Sequence, residues 1–452
     1  NVANAFNVLI PGVVTIFIIS GIGLLFNNTG TVNLNNIVLN SIYSSNKWDH
    51  LESDIINNNG IFNFTKVDSN SQTTGNFINN ISNGEFNISN SNIASLYITD
   101  APTYNSIIND NKIIIKESKV SGKNLTNNDS KTLEINNSNV SLNIINNGKL
   151  TSIENTFGNG VNNSEQGTFI SDSDAIVELK NYGKADLTNV IEKSDIRNFQ
   201  NGNINIYSGK LNDLYNNDNS IMNIYDGTFN RIFNSSLKEI NFYNGKVNGN
   251  ISNSNSGTIN IYAGQIIYSD NKYNAIENTG SGTINIGKKD GNVSVTSPSI
   301  TALKATGIYN SSTGKLNFYD GIIKAKTAIS GGTTTLEDGY DMILGNQTLD
   351  NDDIIEVKYL SILPVAEITS TGKKYSSLEE AFASVTEKGE TIKLLREVTT
   401  KNSGEQITID KDKNIVFDLN GYKVLQNYDP FIVNNGTLTI KDSSSTTTDK
   451  DG

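Results

Sequence analysis

Between residues 203 and 264, apolar and polar positions alternate in a phrase that returns four times. Ile204-Asn205-Ile206-Tyr207-Ser208-Gly209 is followed by Met222-Asn223-Ile224-Tyr225-Asp226-Gly227. Ile240-Asn241-Phe242-Tyr243-Asn244-Gly245 and Ile259-Asn260-Ile261-Tyr262-Ala263-Gly264 complete the series. Alternation with a period of two is the mark of a strand with one buried face. Each phrase closes on glycine, the residue that accepts a sharp bend or a positive φ. The closing glycines stand 18, 18 and 19 residues apart, and a near-constant increment signals a stacked repeat. One strand and one bend per increment describe one coil of a β-solenoid.

A looser form of the pattern extends both ways. Upstream it reads Phe62-Asn63-Phe64, Phe86-Asn87-Ile88, Leu133-Glu134-Ile135, Leu142-Asn143-Ile144 and Val177-Glu178-Leu179. Stretches such as Asn57-Asn58-Asn59-Gly60 and Asn146-Asn147-Gly148 separate these cores and read as turns. Downstream it returns as Ile284-Asn285-Ile286-Gly287 and Leu316-Asn317-Phe318-Tyr319-Asp320-Gly321. The pattern predicts one continuous β-helix over residues 27–360.

Two segments depart from it. Residues 8–26 (VLIPGVVTIFIISGIGLLF) are uncharged, and the first charge in the chain is Lys47. The run is long enough to cross a bilayer as a helix, which predicts an export segment or membrane anchor. Its Pro11, Gly12, Gly21, Gly23 and β-branched residues equally suit buried strands that cap the solenoid. Residues 361–452 hold the one convincing helix pattern. Ser376 stands as its N-cap with Glu379 completing a capping box, and Leu378, Ala381, Phe382 and Val385 share a face. Gly389 offers a stop, and strand-like runs follow at 391–395, 406–409, 414–419 and 437–440. A short amphipathic helix ahead of stacked strands covers an edge that would otherwise expose unpaired backbone groups. Asn1 and the polar tract ending at Gly452 suggest a piece of a longer protein.

The stretch Val365-Ala366-Glu367-Ile368, Tyr375-Ser376-Ser377-Leu378-Glu379-Glu380-Ala381, Gly389-Glu390-Thr391-Ile392-Lys393-Leu394-Leu395 and Phe417-Asp418-Leu419-Asn420-Gly421-Tyr422 resembles a known opening. It is similar to the start of the pectate-lyase-like right-handed β-helix modules of large Gram-positive surface proteins. The resemblance covers about 80 residues and implies fold more strongly than activity. The expected fold is therefore all-β: a right-handed parallel β-helix, then a short capping helix opening a second, truncated β-helix. A left-handed helix with three six-residue faces would give the same period, but no hexapeptide pattern is visible. The resemblance also implies an extracellular, bacterial cell-surface protein of the adhesin-like, wall-associated kind.

Composition changes the picture in three ways. Apolar residues make up 36% and charged residues 18%, so Asn, Ser, Thr and Gly fill the chain, which suits the thin core of a solenoid. Net charge is −12 with only three arginines, Arg197, Arg231 and Arg396. A basic stripe is missing, so nucleic acid is disfavoured as a partner. There is no cysteine, which excludes disulfides and thiolate metal sites.

Candidate chemistry is sparse. The alternative to a structural protein is a polysaccharide lyase or glycoside hydrolase on the same scaffold. Such an enzyme needs clustered carboxylates with a basic residue or histidine, and the only histidine is His50. Asp350, Asp352 and Asp353, with Glu356 close by, form the densest acidic run and the one calcium candidate; otherwise they read as an exposed turn. No other cofactor is expected and no catalytic residue is assigned. In the four-fold phrase, inward isoleucines turn Asn205, Asn223, Asn241 and Asn260 outward, together with Tyr207, Tyr225, Tyr243 and Tyr262. Stacked coils would align them as columns of amides and rings. Such columns stabilise the sheet by hydrogen bonding and stacking from coil to coil; beyond that structural role, the tyrosines are the candidate ligand-binding residues, for a glycan or a protein of a host or neighbouring cell. The function expected is a non-enzymatic structural and adhesive stalk.

Overall fold

The computed structural model describes residues 6–7, 14–19, 26–42, 56–73, 77–97, 106–192, 195–289, 293–337, 340–351, 353–386, 388–399, 406–425 and 431–444. They fall into two compact units, Asn1–Glu337 with Ile343–Tyr359, and Asp338–Met342 with Leu360–Gly452.

The first unit is a parallel β-helix. A central coil shows its construction. Asp195–Asn198 forms one face and Asn203–Ile206 the second; Gly209–Asp218 runs through the third face and onto the first face of the next coil. Each strand pairs in parallel with the strand one coil on. Asn205 lies opposite Asn223, Asn223 opposite Asn241, and Asn241 opposite Asn260. The repeated phrase is thus the second face, seen four times in register. Its apolar residues Ile204, Ile206, Met222, Ile224, Ile240, Phe242, Ile259 and Ile261 are fully buried and form the core. Stacking continues inside the upstream coils, where the rings of Phe62 and Phe86 lie parallel at 5.0 Å.

A column of buried asparagines runs along the interior. Each is the last residue of an apolar-x-Asn triple that ends the first face, such as Ile144-Ile145-Asn146, Leu179-Lys180-Asn181 and Ile276-Glu277-Asn278. Asn28, Asn58, Asn80, Asn109, Asn127, Asn146 and Asn163 continue into Asn181, Asn198, Asn216, Asn234, Asn253, Asn278 and Asn310. In every step the Nδ2 of one residue donates to the Oδ1 of the next, at 2.6–3.1 Å. The second proton goes to carbonyls of the turn: Asn163 donates to Gly167 O at 3.1 Å and Lys184 O at 2.9 Å. A buried amide satisfied on all sides ties each turn to the next coil, where an unpaired one would cost free energy. Gly167 shows how tight the fit is, because a Cβ there would stand 2.3 Å from Asn163 Oδ1.

A second polar file lines the corner between second and third faces. The side-chain oxygens of Ser91, Ser118, Ser138, Asn155 and Asp174 each accept a backbone N–H from one coil earlier, at 2.7–3.1 Å. The residue before each, from Asn90 to Ser173, takes a left-handed conformation with φ between 48° and 57°. After Asp174 the corner passes through Val190 to Gly209, Gly227, Gly245 and Gly264. The glycines that close the repeated phrase are therefore the downstream solution to the same corner. Gly245, at φ 120°, would carry a Cβ 2.7 Å from the Gly227 carbonyl oxygen.

The described pieces of the apolar run 8–26 are strands. Val14–Ile19 pairs in parallel with 37–42, and Phe26–Asn28 with Ile56–Asn58. Residues 8–13 and 20–25 lie outside the described residues. No helix among the described residues is long and apolar enough to cross a membrane. At the far end the parallel pattern stops: Ile354–Ile362 runs antiparallel to 322–325, and Glu356 accepts the Ala328 N–H. The coiling thus closes on a reversed strand.

The second unit opens with antiparallel pairing of Ala366–Ile368 with Lys373–Tyr375 and with Glu390–Leu394. Glu390–Leu394, Asn414–Asp418 and Thr437–Lys441 then stack in parallel, and Ile407–Ile409 pairs with Ile432–Asn434 on another face. The helix spans Leu378–Ala383. Its N-cap is Ser377, not the expected Ser376: Ser377 Oγ accepts the Glu380 N–H at 3.1 Å, and Ser376 Oγ donates to the Glu380 carboxylate at 3.0 Å. The helix also ends earlier than expected, with Ser384 as its C-cap, and Gly389 lies in the turn beyond. Leu378, Ala381, Phe382 and Val385 are buried against Ile392, Ile407 and Phe417. The Asp418-Leu419-Asn420-Gly421 segment is a turn pinned by its own side chains. Asp418 Oδ1 accepts N–H groups of Asn420 and Ser443, while Asn420 Nδ2 donates to Leu394 O.

Candidate functional site

The second face carries two outward columns. Asn205 Nδ2 donates to Asp186 Oδ1 at 2.7 Å, and Asn223, Asn241, Asn260, Asn285 and Asn317 each donate to the residue one coil earlier at 2.7–3.0 Å. Here the later coil donates to the earlier one, whereas in the inner ladder the earlier coil donates. The two amide files, one inside at the end of the first face and one outside on the second, therefore run in opposite senses.

Beside this file stand the tyrosines. Tyr207, Tyr225, Tyr243 and Tyr262 form one stack with centroids 5.0, 5.0 and 5.1 Å apart and planes within 18°. The first three are about two-fifths exposed (45%, 41% and 39%). Their faces are turned to one another, so the stack offers solvent a comb of ring edges and phenol hydroxyls, one per coil. An open aromatic platform of the kind that receives a sugar face is not what the stack presents. Burial pushes the Tyr262 phenol above its ordinary range, helped by Tyr243 and Glu239, so it stays a neutral hydroxyl. The comb has ends: Thr188 holds the position one coil before Tyr207, and Gly287 the position one coil after Tyr262.

Next to the comb lies a shallow groove of about 420 Å³. It is lined by Gly227, Gly245 and Gly264 and by Asp226 and Asn244, which follow Tyr225 and Tyr243 in the chain. Lys246, Gln265 and Ser299 line it from successive coils. Ser297 stands on a loop held by Asp320, whose carboxylate accepts the Ser294 and Val295 N–H groups at 2.8–2.9 Å and the Ser294 hydroxyl at 3.0 Å.

The first face carries a smaller aromatic column. Tyr215 and Phe233 stack at 4.8 Å, with Arg197 over Tyr215 and Arg231 over Phe233, each at 5.2 Å. Asp195 pairs with Arg197 at 2.9 Å and Asp213 with Arg231, so two of the three arginines are neutralised in place.

The acidic run is dispersed where it is described. Asn351 Nδ2 donates to Asp353 Oδ2 at 2.6 Å, Asp353 O accepts the Leu349 N–H, and the Glu356 carboxylate is taken by Ala328. Asp352 lies outside the described residues, as does His50. Among the described residues no group of three or more His, Cys, Asp or Glu could hold a metal ion.

The inner asparagine ladder escapes a reading of the sequence. Asn58 and Asn146 sit in Asn-rich stretches that read as turns, and the repeating triple of an apolar residue, any residue and Asn is the signal that would have found them. Comparison with protein-family models, curated proteins and solved structures finds no match for this chain. Fold and site together define a class: a parallel β-helix bearing an external comb of stacked tyrosines.

Proposed function

We propose that the chain is a structural and adhesive stalk of an exported bacterial surface protein, akin to the pectate-lyase-like β-helix modules it resembles. The observation that carries this reading is the tyrosine comb. Four stacked aromatic side chains, three of them exposed, are held in one row by a scaffold that repeats coil by coil. Aromatic groups with a polar tip favour contacts that are apolar on one side and wet on the other. The scaffold beneath them is suited to bear load, since each coil is bonded to the next by sheet pairing and by buried amides. An acidic surface without a basic stripe favours a glycan or protein as the bound partner over nucleic acid.

The test replaces the middle of the comb. Tyr225→Ser with Tyr243→Ser removes two rings at exposed positions, so the circular dichroism of the chain should be unchanged. Binding to a panel of extracellular proteins should fall to background. Undiminished binding by the double variant would sink the comb as the contact surface. Turnover of any bound glycan by the unaltered chain would replace a stalk by an enzyme.

A further inference from the structure

We propose that the groove beside the tyrosine comb binds a neutral, linear glycan laid along the solenoid axis, one sugar ring to a coil. This rests on the adhesive reading above and names its ligand class.

The first ground is repetition. The tyrosine centroids fix the coil spacing at 5.0–5.1 Å. Within the groove each successive coil supplies its own polar group: Asp226, then Asn244 with Lys246, then Gln265, then Ser299. A periodic row of hydrogen-bonding groups selects a polymer whose own repeat matches it. An extended β-linked chain of six-membered sugar rings advances by close to one strand spacing per ring. An extended peptide advances about 3.3 Å per residue and does not match the coils one unit to one coil.

The second ground is chemistry. The side chains lining the groove are all polar, and its remaining lining residues are glycines. Hydroxyl-rich ligands are recognised by such convergent donors and acceptors. Asp226 and Lys246 are the only charged residues in the lining and are opposite in sign. A groove without net charge gives no advantage to a uronate or sulfated polymer, and the net charge of −12 opposes one.

The third ground is order. Asp320 gathers the Ser294 and Val295 N–H groups, and Ser297 Oγ accepts the Gly264 N–H at 3.3 Å. The loop wall is thus set before a ligand arrives, which reduces the ordering cost of binding.

Calorimetric titration of the chain with cello- and chito-oligosaccharides of increasing length tests the proposal, with oligogalacturonate as the acidic counter-probe. Affinity should rise with each ring until the oligosaccharide covers the four coils from Gly227 to Ser299, then level off. Asn244→Ala with Gln265→Ala should weaken binding about ten-fold while leaving the circular dichroism unchanged. Equal affinity for short and long probes, tighter binding of oligogalacturonate, or wild-type affinity in the double variant would each overturn it. So would failure of every neutral oligosaccharide to bind. If adhesion to proteins still depends on Tyr225 and Tyr243 in that case, the adhesive reading survives and the glycan assignment alone falls.

Discussion

At the scale of single residues, Asp174 is the group most out of keeping with its surroundings. It ends the polar file of the corner, is fully buried, and has Val190 at the equivalent position one coil on. Its oxygens accept from the Asn155 N–H and Nδ2 and from the Ser171 hydroxyl, and it forms no ion pair among the described residues. Burial raises its pKa, and hydrogen bonds from Ser152, Ser171 and Asn155 only partly offset that. A carboxyl raised in the folded state holds its proton more tightly there than when unfolded. Its contribution to stability is therefore complete below the unfolded value, about pH 4, and is lost as pH rises through the folded one. Asp174→Asn keeps an acceptor for Asn155 and lets the Ser171 hydroxyl rotate to accept. The variant should gain about 1–2 kcal/mol at pH 7 and lose much of the difference in stability between pH 7 and pH 4. Urea unfolding at the two pH values measures both. An unchanged pH dependence would mean that Asp174 is not the group responsible.

At the scale of elements, what the sequence reveals depends on how regular its spacing is. The repeated phrase keeps strand, tyrosine and glycine at steps of 18 and 19 residues, so the second face and both its outward columns are legible in the sequence alone. The inner ladder is built from the commonest residue type at steps from 17 to 32 residues, and loops of differing length hide its period. The downstream corner is visible as glycines, but its upstream counterpart alternates Ser, Asn and Asp and is not. The helix illustrates a finer limit. Two adjacent serines both fit an N-cap, and only the geometry chooses Ser377. Ser377→Ala should cost the second unit about 1 kcal/mol, as the loss of a cap usually does, and Ser376→Ala only a few tenths. Hydrogen exchange over residues 378–394 would report the difference, and equal protection in both variants would argue against Ser377 as the cap.

At the scale of the whole β-helix of the first unit, the inner ladder is the device that makes many coils into one body. Its asparagines span about 60 Å at the usual strand spacing. Each contributes to two coils, so the stability of one coil is coupled to that of its neighbours. The adhesion proposed for the comb would need that coupling, because the four tyrosines are aligned only while consecutive coils stay in register. Asn162 and Asn163 provide a matched pair at the middle of the ladder: neighbours in one strand, the first exposed and the second buried. Asn163 accepts from Asn146 at 2.7 Å and donates to Asn181 at 2.7 Å. Asn163→Leu leaves Asn181 Oδ1 buried without its donor, while Asn146 Nδ2 keeps only the Gly148 and Thr168 carbonyls, at a cost of about 1–3 kcal/mol. Asn162→Leu changes an exposed position only. The decisive measurement is the thermal unfolding of these two variants beside the parent chain. A transition that falls by several degrees and separates into two steps for Asn163→Leu alone is the predicted result. Two variants that unfold alike would contradict an inner ladder as the element that holds the solenoid together.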